Sequence, residues 1–324
     1  MRRAVLLLVG LAASVFFTYI AVRDVDFDLF VESLRECNYA WLIPSLLLTV
    51  VAVVVRAWRW QFLFETNTRP PLPALTRALL VGQLFNCILP ARGGEIARVL
   101  VLHQETGTSR VEALATAVVE RLYDVLALLL LLFLATPFLP DVGWLRRAAL
   151  FGVVLMVLVA IAVFVVDYWG VRPVRFVLRP LARLPRVTPE QVERGAANLI
   201  QGLGALHRPH LAIPSFALTL LSWLVLAASF WCVIAAFDVH LGYGAGLLLL
   251  VATTLALVIP SAPGGLGVFE AAGVVALGAY GVNDSTALSI TVVLHALNTF
   301  PYIAAGWVVL HGHAVRLRSA RQLS

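Results

Sequence analysis

Ile88-Leu89-Pro90-Ala91-Arg92-Gly93-Gly94-Glu95 and Ile259-Pro260-Ser261-Ala262-Pro263-Gly264-Gly265-Leu266-Gly267-Val268-Phe269-Glu270 follow one plan. In each, an apolar run is broken by proline, passes through Gly-Gly and restarts with a carboxylate at the head of a new helical run. The chain around them is 61% hydrophobic and only 13% charged, with apolar runs long enough to cross a bilayer. Helix breakers and charges are costly in hydrocarbon unless they face protein or a wet cavity. A matched pair of Gly/Pro-broken segments in two halves of such a chain points to a transport site.

Working outward, apolar spans are predicted at residues 4–22, 41–55, 110–136, 145–166, 211–237 and 285–310. Residues 74–102 and 246–282 hold the two breaks. The fold class expected is an all-α polytopic membrane protein. It has about six full spans plus two broken, re-entrant helical hairpins. Met1-Arg2-Arg3 and the run behind it lack a small-residue cleavage site, so they read as an uncleaved first span.

Arginine distribution orients the spans. All 24 basic residues are Arg, and net charge is +6. Arg-bearing segments at the N-terminus, 56–77, 92–110, 168–210 and the C-terminus are assigned to the cytoplasm. The acidic 23–40 loop lies outside; Arg146 and Arg147 dissent. One integral membrane domain then fills 1–324. Residues 1–40 are the first span and external loop, and 41–166 are repeat half one plus an extra span. Residues 167–210 are a cytoplasmic basic amphipathic linker, and 211–324 are repeat half two and the tail. The halves read as opposite orientations of one plan, an inverted-topology repeat whose hairpin tips meet near mid-membrane.

The charged residues are the candidates for chemistry. Glu95 and Arg98, three apart at a helix start, share a face, and Arg92 lies beside the free N–H groups there. Glu120, Arg121 and Asp124 sit inside a span, where they are either a headgroup or proton site or an inter-helix ion-pair lock with Arg98 or Glu95. Glu270 is either functional or held by backbone N–H groups. Asn86, Pro90, Gly93, Gly94, Pro260, Pro263, Gly264, Gly265 and Gly267 shape the two breaks. Arg56 and Arg59, flanked by Trp58 and Trp60, suit a lipid interface, as an anchor or an entry for anionic headgroups. His295 and Asn298 mark one face of the last span, for proton coupling or for packing.

Other classes find no support. Cys37, Cys87 and Cys232 have no metal or disulfide spacing, no histidine pair has a zinc signature, and the glycines follow no strand as a dinucleotide fingerprint would. No cofactor, metal or nucleic-acid partner is expected. Anionic or phosphate-bearing lipids are the expected partners, with a lipid-modifying enzyme as a further candidate.

Four ordered motifs carry a family resemblance. They are Arg56-Ala57-Trp58-Arg59-Trp60; Gly82-Gln83-Leu84-Phe85-Asn86 through Leu89-Pro90-Ala91-Arg92-Gly93-Gly94-Glu95 to Arg98; Glu120-Arg121-Leu122-Tyr123-Asp124; and Pro260 through Glu270. Together they resemble the lysylphosphatidylglycerol synthetase transmembrane (flippase-like) family over nearly the whole chain. The resemblance implies a bacterial or archaeal plasma-membrane protein. In two-domain members this region is associated with moving aminoacylated phosphatidylglycerol between leaflets, and other members are linked to polyprenyl-phosphate sugars. No aminoacyltransferase or glycosyltransferase domain is recognisable here. The function expected is therefore a non-enzymatic flippase or transporter for a phosphate-bearing lipid. The alternatives are an intramembrane lipid-modifying transferase or a membrane scaffold for an envelope or lipid-modifying enzyme.

Overall fold

Caps and breakers divide the chain into helices. A computed structural model of the chain describes residues 2–64, 69–89, 93–140, 143–170, 172, 209–259 and 261–322. Helix α1 is Arg2–Val22. Asp26 then accepts hydrogen bonds from the N–H groups of Asp28 and Leu29 and starts α2, Phe27–Glu36, inside the stretch expected to be a loop. A short 3₁₀ turn at Tyr39–Trp41 leads into α3, Leu42–Phe62. The helices α4 (Leu72–Ile88), α5 (Gly94–Thr106), α6 (Arg110–Ala135) and α7 (Gly143–Trp169) follow. The second half holds α8 (Pro209–Ala236), α9 (Tyr243–Ala256), α10 (Val268–Gly278) and α11 (Asp284–Gln322). The described residues contain no strand. The basic linker expected at 167–210 lies almost wholly outside the described residues, as do Pro90, Arg92 and Pro260.

Among the described residues, three helices are long and apolar enough to cross a membrane: Tyr39–Phe62, His210–Ala236 and Asp284–Gly312. Shorter apolar helices include Leu72–Ile88 and Tyr243–Ala256. Helix α6 is 26 residues long but carries Glu120, Arg121 and Asp124 within it. Helix α3 runs on to Phe62 rather than ending near residue 55, because the Arg-Trp segment continues the apolar face instead of breaking it.

Each predicted break separates two short helices. Helices α4 and α5 have 17 and 13 residues, and α9 and α10 have 14 and 11. At about 1.5 Å per residue none spans the ~30 Å hydrocarbon core. Helix α4 packs on α5, α9 on α10, and the 3₁₀ turn Pro263–Gly265 of the second break packs on α4. A Cβ placed on Gly264 would lie 3.6 Å from the Cys87 carbonyl oxygen, so the two breaks lie close together.

Helix α3 packs along α8, where Ser45, Thr49 and Ser229 are buried together. Their hydroxyls lie 2.9 Å (Ser45–Ser229) and 3.0 Å (Thr49–Ser229) apart, and Ser229 also donates to the Ser45 carbonyl. Small hydroxyl residues let membrane helices approach closely and exchange hydrogen bonds where no water competes. One apolar cluster joins the α8–α11 half to the C-terminal part of α6, and a second joins the end of α3 to α4, α5 and the start of α6. Outward faces such as Ile43, Leu47, Val50 and Val54 of α3, and Leu150, Phe151, Val154 and Leu158 of α7, expose apolar side chains suited to lipid.

The first hairpin closes at Gly94. A Cβ there would stand 1.9 Å from the Gly82 carbonyl oxygen and 2.6 Å from Asn86 Oδ1. Only hydrogen fits, and the Gly94 N–H donates to Asn86 Oδ1 at 3.0 Å, capping α5. G94A is expected to destabilise the protein by about 1–3 kcal/mol in denaturant unfolding in detergent micelles. G278A, where an added Cβ meets open space, should stay within about 0.5 kcal/mol of the parent.

Candidate functional site

Helices α3, α5 and α6 converge where the two apolar clusters meet, and six of their charged side chains close into a ring. Arg59 Nη2 is 2.7 Å from Glu120 Oε1, and its Nη1 is 2.5 Å from Asp124 Oδ1. Glu120 Oε2 is 3.0 Å from Arg98 Nη1, and Arg98 Nη2 is 2.6 Å from Glu95 Oε2. Arg121 pairs with Glu95 and, at 3.3 Å, with Asp124 Oδ2. The order Glu95–Arg98–Glu120–Arg59–Asp124–Arg121 alternates in sign and returns to its start, so every ion has two partners and the ring is neutral.

Local sequence explains each contribution. Glu95 and Arg98 pair across one turn at the start of α5, and Arg121 and Asp124 do the same in α6. Glu120 lies one turn before Asp124, so the two reach neighbouring points of Arg59. Three residues outside the ring hold it in place. Trp223 of α8 donates its indole N–H to Asp124 Oδ1 at 3.2 Å. Thr219 Oγ1 is 3.5 Å from Arg59 Nη1. Trp60 lies under the Arg98 guanidinium, 4.7 Å from the ring centroid, and donates to Thr116 Oγ1 at 2.9 Å.

The ring has a sealed edge and an open one. The side chains of Arg59, Arg98, Glu120 and Asp124 are 1%, 3%, 5% and 9% exposed, whereas those of Glu95 and Arg121 are 23% and 44% exposed. Arg56 lies beside the ring, one turn before Arg59, with its guanidinium 4.6 Å from the Trp223 ring centroid. No carboxylate lies within ion-pair distance of it among the described residues. The Nε–H groups of Arg56, Arg59 and Arg98 are buried with no acceptor among the described residues. The cluster therefore carries one positive charge and several donors in excess.

These positions correct the expected interface role of Arg59. It points into the protein, because two carboxylates of α6 meet it there; Trp60 is buried with it, while Trp58 is exposed. Of the expected site residues, Glu95, Arg98, Glu120, Arg121 and Asp124 are brought together, with Arg59 added. Arg92 and Pro90 lie outside the described residues. Trp223 and Thr219 gave no sequence signal, being two more residues in an apolar run.

The second break builds a separate pair. Gly267, at φ +83°, packs against Thr18 of α1 and donates its N–H to Glu270 Oε2 at 2.7 Å. Glu270 Oε1 is 2.5 Å from His295 Nδ1, and His295 Nε2 is 3.0 Å from the Gly264 carbonyl oxygen. Ser14 of α1 accepts the Ala262 N–H at 2.8 Å, so α1 holds the broken segment from outside. Pro263 and Gly265 complete the turn. Asn298 donates to the Leu294 carbonyl of its own helix, and Glu270 does not join the ring. The described residues hold no cluster of His, Cys, Asp and Glu suited to a metal ion.

Removing Arg59 takes one of its two cationic partners from each of two buried carboxylates. R59Q is expected to lower unfolding stability in detergent by about 3–5 kcal/mol. Adding D124N should recover part of that loss, since Glu120 keeps Arg98.

Comparison with known proteins places this arrangement. The lysylphosphatidylglycerol synthase TM region, a membrane-protein family, matches residues 7–306. A UPF0104 membrane protein of Methanothermobacter thermautotrophicus is 27% identical over 279 residues, covering 82% of each chain. A second UPF0104 membrane protein of that organism is 23% identical over 296 residues, covering 85% of this chain and 86% of the relative.

Proposed function

The chain belongs to the lysylphosphatidylglycerol synthase TM-region family, and on that premise we propose that it moves a phosphate-bearing lipid, a phospholipid or a polyprenyl-phosphate carrier, between leaflets. The observation that carries this reading is the excess of cationic donors at the charged ring. Three carboxylates balance three arginines, and Arg56 remains over, with the Nε–H groups of Arg56, Arg59 and Arg98 still lacking acceptors. A phosphate supplies one or two negative charges and several acceptor oxygens to such a cluster.

The headgroup enters at the open edge. Arg121 and Arg56, with Arg92 from the first break, take the phosphate; Glu95 receives a cationic group if the headgroup has one. The sealed edge holds Arg59, Glu120, Asp124 and Arg98 in register and does not exchange partners. Short broken helices on either side support re-entrant hairpins in an inverted repeat. The order α3, α4–α5, α6 parallels α8, α9–α10, α11, and the breaks lie close together at Gly264 and Cys87. The family supports a plasma-membrane location, and the arginine distribution supports cytoplasmic termini.

The test is reconstitution into liposomes with fluorescent phosphatidylglycerol, phosphatidylethanolamine or polyprenyl phosphate placed in one leaflet. The parent protein is expected to move at least one of them. R121Q should lose most of that movement while unfolding within about 1 kcal/mol of the parent, because Arg121 is the exposed member of the ring. A parent protein that moves none of these lipids sinks the proposal, and lipid recovered with altered mass would establish a transferase instead.

A further inference from the structure

The geometry around His295 requires a proton that neither partner supplies alone. The Gly264 carbonyl oxygen can only accept, so the Nε2 atom facing it at 3.0 Å carries a hydrogen. Nδ1 faces Glu270 Oε1 at 2.5 Å. A neutral imidazole with its hydrogen on Nε2 presents a lone pair at Nδ1, and an ionised carboxylate presents another. The contact closes only with one further proton between them, whichever atom holds it. Glu270 Oε2 is meanwhile occupied by the Gly267 N–H.

We propose that His295 and Glu270 form a proton-binding site within the membrane, and that proton binding and release there drives the lipid movement. The coupling rests on the transport reading above; the proton site does not. With the proton, the pair is neutral and α11 is tied to the second break at two points. Without it, the pair carries one negative charge, which hydrocarbon surroundings disfavour. One tie must also go. Either Nδ1 repels the carboxylate, or the hydrogen moves to Nδ1 and Nε2 loses the Gly264 carbonyl. Gly264 belongs to the turn of the second break that packs on α4, close to the Cys87 carbonyl. Proton occupancy thus acts on the contact between the two broken hairpins.

Few other groups bear on this site. Phe269 of α10 lies 4.6 Å from the imidazole, centroid to centroid. Helix α4 brings Cys87, and α1 brings the hydroxyls of Ser14 and Thr18, with Tyr19 exposed. Helix α8 packs on α11 without any Asp, Glu or Arg; its titratable groups are His210 and Cys232. Asp28, Glu32, Arg35 and Glu36 of α2 belong to the outer end of α11, where Ser33 meets Thr286 and Ser289 meets Phe30. Arg56 of α3 lies within electrostatic reach of Tyr302, two turns beyond His295. Glu270 is the sole carboxylate within ion-pair distance of His295 among the described residues.

E270Q separates the outcomes. A glutamine amide donates to Nδ1 and its carbonyl accepts from Gly267, so both contacts persist without the extra proton. The full chain, labelled with ¹⁵N-histidine in lipid nanodiscs, is titrated by solid-state NMR, with His295 assigned from H295Q among the seven histidines. The parent should bind one proton more than E270Q, at a resonance absent from H295Q. Equal proton uptake by parent and E270Q overturns the site. In liposomes carrying the same fluorescent lipids, an imposed pH gradient should speed movement by the parent, and the ratio of rates with and without gradient should fall to one in E270Q. Movement indifferent to the gradient overturns the coupling but leaves the lipid reading intact. No movement by the parent overturns both, while the proton count still decides the site. Should E270Q fail to fold, H295Q serves in both measurements with the same expected loss.

Discussion

A bare charge carried into hydrocarbon costs several kcal/mol, and the helical half around α3, α5 and α6 is arranged so that none of its ring charges is bare. Pairing alone would not suffice, because a buried ion pair often fails to repay its desolvation. The ring answers this by giving each ion two partners and adding hydrogen bonds from Trp223 and a flat aromatic face from Trp60. The same requirement fixes helix positions. Arg59 reaches both Glu120 and Asp124 only if α3 runs deep against α6, and Arg98 reaches Glu120 only if α5 returns close to α4. Gly82 and Gly94 permit that return.

The breaks solve a second polar problem, the free N–H groups at a helix start. In the first, Asn86 of the preceding helix reaches forward to the Gly94 N–H. In the second, Glu270 reaches back to the Gly267 N–H from within the new helix. The solutions differ although the sequences look alike, and the difference leaves Glu270 with one oxygen for His295. What looks like one motif written twice therefore places a charged ring at one break and a titratable pair at the other.

Much of this was legible in the sequence. Apolar run lengths gave the membrane class, and spacing on a helix put Glu95 and Arg98 on one face. The ion-pair lock weighed for Glu120, Arg121 and Asp124 is present, as is the backbone N–H contact weighed for Glu270. Arg59 was misplaced because an Arg-Trp cluster at the end of an apolar run reads as an interfacial belt, and only the facing carboxylates of α6 reveal that it turns inward. Helix α2 was missed although Asp26 is a good N-cap, since the acidic composition suggested a loop. Trp223 and the approach of Gly264 to Cys87 depend on tertiary contacts between distant segments, which no local period encodes.

Because the ring closes on itself, it contains one more link than is needed to keep its ions joined in a single circuit. Opening the Glu95–Arg121 link would turn the ring into a chain in which Glu95 keeps Arg98 and Arg121 keeps Asp124. Neither charge is stranded, and both already stand at the accessible edge. The ring can therefore open at that edge at the cost of a single ion pair, while Arg98 and Glu120 still join α5 to α6. A closed circuit of charges is in this sense a clasp, strong when shut and cheap to undo at one place.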